Sequence, residues 1–258
     1  MNMIMKANDN RWNEYIERLP VEKQDIYYTR EYYCMEQEEG HGEAFLFVCE
    51  NDNGQLGLYP FLRNPVERNY LDKTYYDIET AYGYGGPLVN SMEPEFIEEF
   101  ETAFLQYCKK ENIIAEFIRF HPLLKNETIF KKEIRVLHNR YTVWLDLTKD
   151  LDDIWMNQVA GQNRNKIRKA LKHGLSVEIS EDYTKFADIY EQTMQKVDAD
   201  TFYYFDQAYY KALKNNENMV LLCVKKEEEV IAAAVFMCYQ EYCHYHLGGS
   251  RREFLKIF

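Results

Sequence analysis

The strongest constraint on the fold is an order of helical and strand periodicities that occurs twice along the 258-residue chain. In each half, two amphipathic helical segments precede two strands joined by a polar turn, and a third strand follows. The turns are predicted at residues 51–54 and 225–229. This order predicts an α/β (α+β) protein of two similar domains, at residues 1–145 and 146–258. The alternative is that a common α/β order recurs by coincidence.

The hydrophobic periodicity predicts the position of each helix and strand. In the first half, helices are predicted at residues 11–19, after Thr29 as N-cap, and at 93–111, and strands at 44–49, 55–62, 75–78 and 113–120. In the second half, helices are predicted at 150–158, 163–173 (ended by Gly174), 186–195 and 207–214, and strands at 141–147, 175–179, 219–224, 230–239 and 241–247. Residues 248–250 are predicted to open a loop.

The second half lacks a counterpart of the long helix and strand predicted at 93–120. Residues 251–258 are too few to provide one. An uncovered third strand exposes an apolar edge, which folded proteins avoid. We therefore expect either a truncated second domain or a partner that covers this edge.

Composition narrows the class of protein. The net charge of −12 disfavours general binding to nucleic acid, and DNA is not an expected partner. The six cysteines form no C-x-x-C pair and read as reduced thiols, with a structural zinc site as the alternative. The first residues lack the apolar core of a signal peptide, so a cytoplasmic protein without stable membrane insertion is expected.

A basic stretch stands out in this acidic chain. Residues 154–177 contain no Asp or Glu, although the chain holds 43 of them. On a helix, Arg164, Arg168 and Lys172 share one face, with Lys169 beside them. Such a face suits phosphate groups. The alternative is a solvated helix face balanced by acidic neighbours.

Two further segments are candidate binding elements. The loop at residues 82–87 places Tyr82 and Tyr84 among three glycines, which permit close backbone approach; it fits either a ligand contact or a tight structural corner. His244 and His246 face the same side of a predicted strand, which suits a metal only if further ligands arrive. A hydrogen-bonded sheet histidine is the favoured interpretation of each.

Four segments in order carry a family resemblance. They are residues 59–63 (YPFLR), residues 76–78 with the loop 82–87 (YDI, YGYGGP), residues 163–170 (NRNKIRKA) with Gly174, and residues 245–250 (YHLGGS). Together they resemble the FemAB-like branch of the GNAT acyltransferase superfamily, from about residue 26 onward. The resemblance implies two tandem GNAT-like domains with mixed, mostly antiparallel sheets, the second without its C-terminal helix and strand.

The resemblance also implies an activity and its ligands. Members transfer an acyl or aminoacyl group to an amine of a cell-wall or surface-polysaccharide precursor, small or lipid-linked. The donor is acyl-CoA (acetyl-CoA) or aminoacyl-tRNA, with tRNA as donor only, and no metal is expected; a homodimer is compatible with the family. The substrate-binding positions implied are Tyr82, Tyr84, Gly85, Arg164, Arg168, Lys169, Lys196, Tyr203, Tyr204, His246 and Ser250.

GNAT-type chemistry is the attack of an amine on a thioester or ester carbonyl, with a carboxylate or water accepting the proton. Asp77 is a candidate base or substrate contact, and capping of the following loop is the favoured interpretation of this residue. The sequence leaves two functions open. One is this acyltransferase, and the other is a non-catalytic protein that binds the precursor only.

Overall fold

The protein divides into two compact units. The computed structural model describes residues 1–68, 72–132 and 134–254. The first unit contains Met1–His138 and Tyr239–Tyr242, and the second contains Asn139–Cys238 and Cys243–Phe258. The sequence placed the boundary between residues 145 and 146, a little further along the chain.

The first unit is built around one mixed sheet. Its elements are β1 (Asn2–Lys6), α1 (Arg11–Glu17), α2 (Arg30–Glu38), β2 (Glu43–Glu50), β3 (Leu56–Pro65), β4 (Tyr76–Glu79), β5 (Leu88–Val89), α3 (Pro94–Lys110) and β6 (Ile113–Phe117). The strand order is β1-β2-β3-β4-β6, and β5 pairs with β3. Among the strand pairs of the described residues in this unit, only β4 and β6 run parallel, with α3 as their crossover connection.

Helix α3 is held on the sheet by aromatic packing. Phe100 and Phe104 are four residues apart and therefore share a helix face, which the spacing predicted. Phe104 packs against Tyr59 of β3 and Phe47 of β2, with ring centroids 4.8 Å and 5.3 Å apart. Phe100 lies 4.9 Å from the ring of Phe130. Burial of these rings stabilises the packing of α3 on the sheet.

The second unit contains a four-stranded sheet in the order β10-β9-β8-β7. Its elements are α4 (Leu151–Asp153) with a π-helical continuation (Ile154–Gln158), α5 (Gly161–Lys172), β7 (Leu175–Ser180), α6 (Tyr183–Lys196), α7 (Gln207–Asn215), β8 (Met219–Lys226), β9 (Glu229–Tyr239) and β10 (Tyr242–Ser250). Along β8, Leu221 and Cys223 are buried, whereas Leu222 and Val224 are only half-buried. The sheet therefore has one covered face and one more open face.

The repeat predicted from the sequence is visible in the connections. In the second unit, β7, α6, α7, β8, β9 and β10 follow the same order as β1, α1, α2, β2, β3 and β4 in the first. Neighbouring strands also pair in the same sequence in the two sheets. The predicted fold class, α/β with two mostly antiparallel sheets, is confirmed. Among the described residues, no helix combines the length and apolar character needed to cross a bilayer.

Two end-of-helix predictions are confirmed in detail. Thr29 precedes α2, and its side chain accepts a hydrogen bond from the backbone N–H of Tyr32. Gly174 follows α5 with φ of +74°, the left-handed conformation that glycine adopts at little cost. Both signals are local, which is why the sequence alone reveals them.

Three assignments were wrong. Residues 141–147 form no strand, and Tyr141 and Val143 are 89% and 92% exposed; their apolar alternation lacks a partner strand in the described chain. Residues 248–250 belong to strand β10 instead of opening a loop. Strand β1 was missed, because its short run at the N-terminus becomes a strand only through pairing with β2.

Candidate functional site

The end of β10 lies tightly against α6. The backbone N–H of Ser250 donates to the Thr193 hydroxyl over 3.0 Å, and that hydroxyl donates to the carbonyl of Ile189 over 2.9 Å. A Cβ atom on Gly249 would lie 2.8 Å from both the Ile189 carbonyl and the Thr193 hydroxyl. Glycine is therefore required for this approach, and Thr193 fixes where the strand ends.

A cleft of about 430 Å³ opens beside this junction. It is lined by the more open face of the sheet together with the polar end of β10: Val177, Thr193, Leu222, Val224, Ala232, Ala233, Ala234, Phe236, Tyr245, Gly248, Gly249 and Ser250. Tyr245 forms the rim of the cleft and packs edge-on against Phe236. Its ring also lies close to Gly248, where an added Cβ atom would come within 2.8 Å of the Tyr245 Cζ. An apolar cleft with a few polar groups at one end is typical of a small-molecule site.

His246 is a hydrogen-bonded sheet histidine, the favoured sequence interpretation. Its Nε2 lies 2.6 Å from the hydroxyl of Tyr209, a buried residue of α7. Burial lowers the pKa of His246 to about 4, so the imidazole is neutral at pH 7. It therefore acts as a polar link between β10 and α7.

The basic residues of α5 do not form one uniform face. Nη1 of Arg164 donates to the carbonyls of Trp155, Met156 and Val159, at 3.0, 2.8 and 2.6 Å. These carbonyls lie at the end of the π-helical segment, where no further helical turn supplies N–H groups to donate to them. Arg164 is thus already engaged as a cap. The sequence predicts the helix face on which Arg164 lies, but it does not predict that the side chain binds these carbonyls.

We expect Arg164→Ala to lower the free energy of unfolding of the second unit by about 1–3 kcal/mol, because hydrogen bonds from a charged donor are lost. Arg168→Ala is the matched control on the same helix: its side chain is exposed, lies over the Trp155 ring at 5.3 Å, and should change stability by under about 0.5 kcal/mol. Urea denaturation of both variants checks the difference. Equal effects would contradict the capping role.

The other basic candidates are accessible. Arg168, Lys169 and Lys196 are exposed, as are Tyr203 and Tyr204. Lys196 ends α6 one turn beyond Thr193, so the i, i+3 spacing places it on the helix side that meets Ser250. Thr193, which the sequence analysis did not identify, therefore connects α6 to the end of β10 one helical turn before Lys196.

Several backbone groups of the glycine-rich loop of the first unit are hydrogen-bonded. Tyr82 N–H donates to Glu36 Oε2 at 3.2 Å, and its carbonyl accepts from the Tyr32 hydroxyl at 2.7 Å. Gly85 N–H donates to the Arg119 carbonyl at 2.8 Å. The Tyr84 ring packs against Tyr27, with centroids 5.5 Å apart. These contacts favour the structural-corner interpretation of the loop.

A buried polar network lies behind this loop. Asn126 donates to the carbonyls of Gly85 and Pro87 at 2.7 and 3.2 Å, and its Oδ1 accepts from the His121 backbone N–H at 3.1 Å. His121 Nδ1 accepts two backbone N–H groups, so the proton lies on Nε2, which contacts Asp25 Oδ2 at 3.1 Å. No local sequence signal identified this network, because its members come from distant segments.

Asp77 does not cap the loop, contrary to its favoured interpretation. It lies within β4, paired with Asn64 of β3 and Ala115 of β6. A second cleft, of about 620 Å³, opens beside Tyr76 in this unit. Its charges are largely paired, since Glu43 binds both Lys6 (2.7 Å) and Arg63 (2.8 Å).

An acyl-CoA donor fits the groups present at the cleft of the second unit. The apolar floor suits an acyl chain, and the hydroxyl groups of Thr193 and Ser250 suit polar atoms. Arg251, the next residue, pairs with Glu229 at 3.0 Å and is not among the residues that line the cleft.

A family model matches part of the chain. Residues 159–257 match a family model described as an acetyltransferase (GNAT) domain, which supports the GNAT superfamily for this segment. No curated protein matches the chain.

A similar solved structure is the C-terminal domain (DUF2156) of a protein assigned as a lysylphosphatidylglycerol synthetase from Agrobacterium fabrum. It has a TM-score of 0.51 and 14% identity, and the likeness covers 93% of this chain and 70% of that one. At this identity the likeness concerns the fold alone.

Proposed function

We propose that the chain is an acyltransferase of the FemAB-like type, which acylates an amine of a phosphorylated cell-wall or surface-polysaccharide precursor. The observation that carries the proposal is the cleft where β10 ends against Thr193, inside the segment that matches a GNAT domain. The Agrobacterium protein, named for lysylphosphatidylglycerol synthesis, is similar to this chain in fold.

The donor occupies the cleft of the second unit in this proposal. An acyl-CoA supplies an activated thioester there; an aminoacyl-tRNA ester is the alternative donor. The amine forms a C–N bond to the carbonyl carbon, the C–S or C–O bond breaks, and the proton lost by the amine ends on the leaving thiolate or alkoxide. The rigid junction of Ser250, Thr193 and Ile189 fixes the wall of the cleft, which favours orientation of the donor.

The acceptor is bound by exposed cations of the second unit. Arg168, Lys169 and Lys196 are accessible, and Arg offers a planar fork for phosphate oxygens. Tyr203 and Tyr204, about 38% and 41% exposed, offer ring faces and hydroxyls for a sugar. Arg164 is withdrawn from this set by its carbonyl contacts.

Thermal-shift titration with acetyl-CoA and with a nucleotide-linked amino sugar tests the proposal. Each ligand is expected to raise the melting temperature, since binding at about 100 times Kd adds about 2.7 kcal/mol. Thr193→Val should reduce only the donor shift, with Thr184→Val, an exposed change on the same helix, as control. The double variant R168E/K169E should reduce only the precursor shift, with Lys211→Glu as the control.

The outcomes separate the two functions. A precursor shift without a donor shift supports the non-catalytic binding protein. Shifts from both ligands, followed by acylated product in mass spectrometry, support the enzyme. If neither ligand raises the melting temperature, the proposed site is wrong.

A further inference from the structure

Strand β7 is an open edge of the second sheet. It has a neighbour on one side only, β8, in the sheet that the described residues form. Val177 and Ile179 on this strand are 64% and 73% exposed. Edge strands present unpaired backbone groups and are usually protected by charge or by a covering element. Helix α5, the preceding element, has no buried residue and leaves β7 uncovered.

The side chains of β7 are self-complementary in one antiparallel register. When Val177 lies opposite Val177 of a second copy, Leu175 lies opposite Ile179 and Ser176 opposite Glu178. The apolar residues then share one face, and the two Glu178 carboxylates are not opposite each other. Lys225 already pairs with Glu178 within the sheet, which reduces the cost of a carboxylate at this edge.

The charges that flank β7 are complementary in the same register. Lys172 and His173 precede the strand, while Glu181 and Asp182 follow it. Antiparallel pairing brings the start of one strand to the end of the other, so basic residues approach acidic ones at both ends. A parallel arrangement would instead bring like charges together. The flanks therefore select an antiparallel partner of this same sequence.

We propose that β7 pairs with β7 of a second copy of the chain, forming a two-fold symmetric dimer with a continuous sheet across the junction. The interface is isologous, because the same strand is used by both copies. Val177 also lines the cleft of this unit, so the interface lies beside the proposed ligand site. Its small size places it among weak, concentration-dependent associations.

Sedimentation velocity of the 258-residue chain tests the pairing. Dimer is expected to appear within a range of about 5 to 500 µM. Val177→Lys places two cations face to face on the two-fold axis and should raise the dimer Kd at least about tenfold. Val197→Lys is the control, since Val197 is 59% exposed but lies outside the strand.

A charge swap tests the register without touching the strand. His173→Glu places a carboxylate opposite Glu181 in this register and should weaken the dimer severalfold, and the double variant H173E/E181K should restore it, because residues 173 and 181 then carry opposite charges. A chain that stays monomeric over the whole range would overturn the proposal. So would a dimer that Val177→Lys leaves unchanged, or a double variant no better than the single one.

Discussion

Replacing Asn126 by alanine is expected to lower the free energy of unfolding of the first unit by about 3–5 kcal/mol. Asn126 is 1% exposed. Its amide nitrogen lies 2.7 Å from the Gly85 carbonyl and 3.2 Å from the Tyr28 hydroxyl, and its oxygen accepts from the His121 backbone. Alanine leaves these groups buried without their partner, and each such group costs about 1–3 kcal/mol.

Amide hydrogen exchange in β2 and β3 is the suitable measurement, because it reports on the first unit without requiring two-state unfolding of the whole chain. Asn53→Ala is the matched control: Asn53 is exposed in the turn after β2, and its loss should cost under about 0.5 kcal/mol. Similar losses of protection in the two variants would show that the network does not hold the loop.

The parts of the fold that sequence predicted best are those governed by local periods. The four-residue spacing of Phe96, Phe100 and Phe104 defines the buried face of α3 before any partner is known. The hairpins follow from alternating strands around polar turns, and the N-cap at Thr29 is a signal of a single residue.

The parts that escaped prediction depend on contacts between distant segments. Asp25 and His121 meet over 96 positions of sequence, and no period records such a pair. Residues 141–147 illustrate the opposite error. Their alternation is typical of a strand, yet a strand exists only where another strand pairs with it.

The candidate site shows the same contrast between local sequence signals and contacts that depend on tertiary packing. The basic character of α5 is a sequence property, but the side chain of Arg164 is turned to the carbonyls of Trp155 and Val159 by the preceding π-helical turn. Thr193 carries no motif, and only the close approach of Gly249 to α6 reveals its role. The sequence thus indicated which segments contribute to the candidate site, and tertiary packing determines which of their atoms remain accessible to a ligand.

Gly83→Ala is expected to destabilise the first unit by about 3 kcal/mol or more, because it combines backbone strain with overpacking. Gly83 has φ of +99°, and a Cβ there would lie 2.7 Å from Cζ of Tyr27. The Tyr27 ring has little room to move, since it packs edge-on against Tyr32 at 5.3 Å and Tyr84 at 5.5 Å. The substitution must therefore displace either the ring or the loop.

Gly54→Ala separates the two causes. Gly54 has φ of +76° but no atom within 4 Å of its Cβ position, so alanine there incurs only the backbone strain, about 1 kcal/mol. Hydrogen exchange in β2 and β3 compares the two variants. In a double-mutant cycle, Tyr27→Ala should reduce the further cost of Gly83→Ala, because the obstructing ring is gone. Equal costs at Gly83 and Gly54 would mean that the loop can move away from Tyr27, and that it is less rigid than its hydrogen bonds indicate.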